Sequence, residues 1–92
     1  MNLTEKEIAL LVKLARDEYN ASNTAEPTEW ADVAGGVWAF SVLESESDGG
    51  VFASLEKKGL VIFNDYGDKN ENTVAFTREG FAAYRALPAH VR

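Results

Sequence analysis

The only stretch with the spacing of an oxygen-ligand metal loop is Asp68-x-Asn70-x-Asn72, with Glu79 eleven residues after Asp68. A calcium loop sets oxygen ligands at alternating positions and closes with a bidentate glutamate. It also needs glycine at its sixth position, where Thr73 stands, and the segment before it has the pattern of a strand rather than a helix. The stretch therefore reads as an Asx-rich hairpin turn. Glu44, Glu46 and Asp48 could ligate a hard cation, but at a helix start such carboxylates more often cap the chain and offset the helix dipole. Neither Gly35-Gly36 nor Gly49-Gly50 is followed by the Lys-Ser/Thr of a phosphate-binding loop. The single histidine, His90, lies near the carboxyl end, poorly placed to activate a serine or threonine. With no cysteine, thiolate zinc sites, disulfides and thiol catalysis are excluded. The expectation is a protein that is not an enzyme and carries no metal and no cofactor.

Ninety-two residues make one domain, residues 1–92, with 46% apolar and 26% charged residues, as in an ordinary globular protein. Nine basic against fifteen acidic residues give a formal charge of -6, which works against nonspecific attraction to phosphate and favours a protein partner. No apolar run approaches the ~20 residues that span a bilayer. The N-terminus lacks the basic start and apolar block of a signal peptide, so a cytoplasmic protein is expected. On that basis the glycosylation sequons at Asn2 and Asn20 are read as chance.

Four helical segments and a hairpin would position these residues. Thr4-Glu5-Lys6-Glu7 has capping-box spacing, and Ile8, Leu11, Val12, Ala15 and Tyr19, widened by Leu14, predict the buried face of a helix ending near Asn20. Residues 20–28 read as a linker, and Thr28 could cap a short turn with Trp30 and Val33, stopped by Gly35-Gly36. Val37 to Glu44 suits strand or helix, and a second helix is favoured there. Ser47 or Asp48 would cap the next helix, with Val51, Phe52 and Leu55 inward and Gly59 ending it. Leu60–Phe63 and Thr73–Thr77 predict two strands joined by the Asn/Asp/Gly-rich loop, and Thr77 would cap a last helix bearing Phe81, Tyr84 and Leu87.

Leu55-Glu56-Lys57-Lys58-Gly59-Leu60-Val61 and the later Thr77-Arg78-Glu79-Gly80 resemble a winged helix-turn-helix domain. Gly49 to Leu55 resembles small phage- and plasmid-borne winged-helix proteins. The resemblance implies a mainly α fold with a small β-hairpin wing, and a DNA-binding transcriptional regulator as the function. It makes the helix from about Asp48 to Lys58 the recognition helix, entering the major groove. DNA contacts would then come from Ser54, Lys57, Lys58, Lys69 and Arg78, with Gly49 and Gly50 permitting close approach. A homodimer through terminal helices also accords with that resemblance.

The acids depart from the family pattern. Glu44, Glu46 and Asp48 precede the recognition helix, and Asp65, Asp68 and Glu71 share the wing loop with Lys69 alone. Glu44, Glu46, Asp48, Asp65 and Asp68 support an alternative, an acidic protein-interaction module, an adaptor or a DNA-like negative surface, on the same scaffold. Trp30 is a core residue or an interface anchor, and Tyr66 a solvated turn residue or a stacking one. Gly49-Gly50 serves either close helix packing or the approach of a ligand.

Overall fold

The structure, a computed structural model, describes residues 2–20, 26–68 and 70–92. It is a small α/β domain in which four α-helices pack around a three-stranded antiparallel sheet. Lys69, most of the 20–28 linker and part of the Asn20 sequon lie outside the described residues.

Helix α1 (Glu5–Ala15) starts at the expected capping box: the Glu7 amide donates to Thr4 Oγ1 at 3.1 Å and the Thr4 amide to Glu7 Oε1 at 2.8 Å. It stops well before Asn20. The Asn20 side chain donates to the Leu14 carbonyl at 2.6 Å, and Asp17 accepts the Tyr19 amide at 3.0 Å, so local side chains satisfy the groups that end the helix. Its buried face is Glu7, Leu10, Leu11, Leu14 and Ala15, rotated from the expected stripe. Ile8 and Val12 lie at the margin and Tyr19 is exposed. Apolar residues at 8, 10, 11, 12, 14 and 15 allow two adjacent stripes, and the neighbouring elements select one.

The expected second helix divides in two. Val37–Trp38 forms strand β1 and only Ala39–Val42 forms a helical turn, α2. The cause lies far along the chain: Val37 pairs with Val74 and Trp38 with Thr73, and the Ala39 amide donates to the Asn72 carbonyl at 2.9 Å. Gly36, at φ 79°, delivers the chain to this edge, where a Cβ would stand 3.0 Å from the Val74 carbonyl.

Helix α3 (Glu46–Lys57) is capped by Ser45, earlier than the expected Ser47 or Asp48, because Asp48 serves as the third residue of a capping box. Its Oδ2 accepts the Glu44 and Ser45 amides at 3.0 and 3.2 Å. Gly59 ends the helix at φ 76°. Strands β2 (Val61–Asn64) and β3 (Thr73–Phe76) form the expected hairpin, with Val61 opposite Phe76 and Asn64 opposite Thr73. The sheet order is β1-β3-β2, so β3 is central and Val74, Ala75 and Phe76 are all buried.

Helix α4 (Arg78–Arg85) rests directly on the start of β2. Thr77 Oγ1 donates to the Gly59 carbonyl at 2.6 Å and accepts the Gly80 amide at 2.9 Å. A Cβ on Gly80 would lie 1.6 Å from the Leu60 carbonyl oxygen, so only glycine permits this approach. Phe81 and Tyr84 then join Phe76, Leu11, Leu14, Leu55 and Leu60 in one core. Among the described residues no helix is long and apolar enough to cross a membrane.

Candidate functional site

Ser54 and Lys58, on the side of α3 that faces α1, are both engaged by Glu7. The Lys58 ammonium lies 2.8 Å from Glu7 Oε1 and 2.9 Å from Oε2, and Ser54 Oγ donates to Oε2 at 2.7 Å. Lys58 also donates to the Asn2 carbonyl. Glu7 is buried, and the Lys58 hydrogen bond, then the Thr4 amide, with Ser54 adding, outweigh burial and hold its pKa down to about 2 from 4.5. A buried carboxylate satisfied this way is a structural hub, and the two side chains that serve it are not freely presented to a duplex.

The outward face of α3 has another character. Glu46, Gly49, Gly50, Ala53, Glu56 and Lys57 are exposed, and a Cβ added at Gly49 or Gly50 would meet nothing within 4 Å. The two glycines therefore do not serve helix–helix packing. Helical glycine costs about 1 kcal/mol relative to alanine, and the fold gives no return for it here. Lys57 is the only basic side chain on this face, next to Glu56 at its C-terminal end.

Arg78 is exposed at the start of α4, its guanidinium carbon 4.1 Å from the centre of the Trp30 ring. Trp30, in a 3-10 turn (Trp30–Asp32), is half-buried against the core and donates its indole N–H to the Phe76 carbonyl at 3.2 Å. In the hairpin loop Asp65 and Asp68 accept the amides of Gly67 and Asn70, and Asn72 accepts that of Tyr66. The two aspartate contacts are the Asx turns the sequence suggests, and the Asn72 contact closes the loop across six residues. Glu44 is paired with Lys13 at 2.5 Å, and Asp48 caps α3. Among the described residues no group of three or more His, Cys, Asp or Glu is placed to hold a metal ion.

Most of the basic side chains are used internally. Lys13, Lys58, Arg85 and Arg92 sit in ion pairs, Arg16 donates to the Arg92 carbonyl, and Arg78 stacks on Trp30. Lys6 and Lys57 make no ion pair with a described residue, whereas Glu5, Glu18, Glu29, Glu46, Glu56, Asp65, Asp68, Glu71 and Glu79 are exposed without one. Among the described residues, exposed acids without an ion pair thus outnumber basic side chains without one.

Two features escaped the sequence. Glu7 looked like a capping residue only, because its partners lie 47 and 51 positions away. Tyr19, Trp38 and Phe40 form a contiguous aromatic row on the surface. A comparison of the chain with protein-family models, curated proteins and solved structures returned no match.

Proposed function

We propose that the chain is a winged helix-turn-helix domain serving as an acidic protein-interaction module, with a positively charged protein surface as its partner. The element order α1-β1-α2-α3-β2-β3-α4, the sheet order β1-β3-β2 and the Thr77–Gly80 turn support the scaffold. The observation that carries the function is the capture of Ser54 and Lys58 by buried Glu7. It leaves Glu46, Glu56 and a single lysine around the bare Gly49-Gly50 step. Asp65 and Asp68 of the hairpin loop are further exposed acids, while Glu44 and Asp48 have structural partners.

DNA binding is the second reading, favoured by the exposure of Lys57 on the free face of α3 and of Arg78 at the start of α4. One pair of assays separates the two. An oligo-lysine peptide should bind, with affinity falling as salt rises and falling again in Glu46→Gln/Glu56→Gln, while pooled duplex DNA gives no gel shift at low salt. A salt-sensitive gel shift that Lys57→Ala weakens, with no peptide binding, would reverse the choice. Glu7→Gln adds a check, because releasing Lys58 and Ser54 should strengthen DNA binding only if DNA is the ligand.

A further inference from the structure

We propose that Tyr19, Trp38 and Phe40 form the ridge on which an arginine-bearing segment of the protein partner docks, a role that rests on the protein-interaction reading above. Tyr19 and Phe40 are each more than half exposed, at 56% and 55%. Their rings nevertheless hold fixed relations to the half-buried Trp38 between them. Tyr19 meets Trp38 at 85° with centroids 6.4 Å apart, and Phe40 stacks on Trp38 at 17° and 6.2 Å. A small domain that leaves two exposed rings flanking a half-buried tryptophan presents a pre-formed contact surface, of the residue types that dominate protein interfaces.

Asp17 orders this row from behind. Its carboxylate accepts the Tyr19 amide at 3.0 Å and the hydroxyl of Ser41, which lies on α2 beside Phe40. Both ends of the ridge are therefore tied to one buried carboxylate, which has no described cation as its partner. Exposed Glu18 adds a second negative charge next to Tyr19.

The recesses beside the ridge set the chemistry of the occupant. One, of about 350 Å³, is lined by Tyr19, Gly35, Gly36, Val37, Trp38 and Thr73. The other, of about 450 Å³, lies between α2 and the hairpin, where Phe40, Leu43 and Phe63 meet the amides of Asn70 and Asn72. No described lysine or arginine lines either one. Ring faces are electron-rich, exposed Glu18 beside Tyr19 is negative, and asparagine carbonyls accept hydrogen bonds. A planar guanidinium satisfies all three, stacking on a ring while its edge N–H groups reach carbonyl oxygens. A nucleic acid could stack bases here, but its phosphates would then meet exposed Glu18 beside Tyr19, and no described lysine or arginine lines either recess to receive them.

The test is an NMR titration of the full chain with a hexa-arginine peptide at physiological ionic strength. The expected result is that the Trp38 indole and the Tyr19 and Phe40 signals move first. Affinity should fall about tenfold in Phe40→Ala and in Tyr19→Ala, with Tyr66→Ala binding as the parent. Phe40 and Tyr19 are exposed, so these variants should keep the fold, checked by an unchanged amide spectrum elsewhere. Binding centred on α3 or the hairpin, unaffected by Phe40→Ala, would overturn the ridge and leave the protein-interaction reading standing. Absence of hexa-arginine binding anywhere would overturn both.

Discussion

The two sides of α3 place opposite demands on their residues. On the inner side Glu7 gathers Ser54 and Lys58, and where the chain leaves the helix Gly59 turns it and Gly80 of α4 admits the Leu60 carbonyl where no side chain fits. On the outer side Gly49 and Gly50 stand in open space and the helix accepts a loss in propensity for no gain in packing. The difference shows that Lys-Gly-Leu-Val and Thr-x-x-Gly, the motifs that draw attention in the sequence, are architectural. Function belongs on the surface that the fold leaves unassigned.

The sharpest break in that contrast is Gly80→Ala. Its Cβ would collide with backbone at Leu60 rather than with a flexible side chain, so a loss of about 3 kcal/mol or outright unfolding is expected. Chemical denaturation would measure it, and a loss under about 1 kcal/mol would mean that α4 can shift away from β2.

Next in size is Glu7→Gln, expected to cost about 2 kcal/mol by leaving Lys58 and Ser54 without their carboxylate. The same group predicts an acid dependence. Its folded pKa of about 2 lies below the ordinary 4.5, so its contribution is full above the ordinary value and is lost as pH falls from about 4.5 towards about 2. Thermal melts across that window should show a steeper decline for the parent than for Glu7→Gln. Equal slopes would remove Glu7 as the source.

On the outer side the sign reverses. Gly49→Ala and Gly50→Ala should each stabilise by about 0.5–1 kcal/mol, since each replaces a helical glycine where a methyl group meets nothing. If the pair instead weakens binding of the oligo-lysine peptide while raising the melting temperature, the glycines serve partner approach. Destabilisation would erase the distinction between the two sides of the helix. The smallest expected effect is that of Lys57→Ala on stability, within about 0.5 kcal/mol, as for an exposed side chain outside any ion pair with a described residue.

How much was legible follows from how far each cause lies along the chain. Thr4, Thr77 and Gly59 could be read directly, because a cap or a helix stop depends on neighbours within a turn. Trp38 could not be placed, because its strand exists only through Thr73, and the eight-residue run around it suits either state. Tyr19 continues the expected buried stripe only if α1 runs on to it, and Asp17 and Asn20 end the helix first. Ser54 and Lys58 are donors by their chemistry, but the acceptor that claims them, Glu7, is on another helix.

By itself the sequence determined the caps at Thr4 and Thr77, the stop at Gly59, the Asx-rich turn and the acidic balance, all set by side-chain chemistry over a few residues. Only the tertiary structure decided which face of α1 is buried, that Val37–Trp38 is a strand, that Glu7 holds Lys58, and that Tyr19, Trp38 and Phe40 stand together. Those outcomes depend on contacts between segments tens of residues apart, which exist only after the chain has closed on its core.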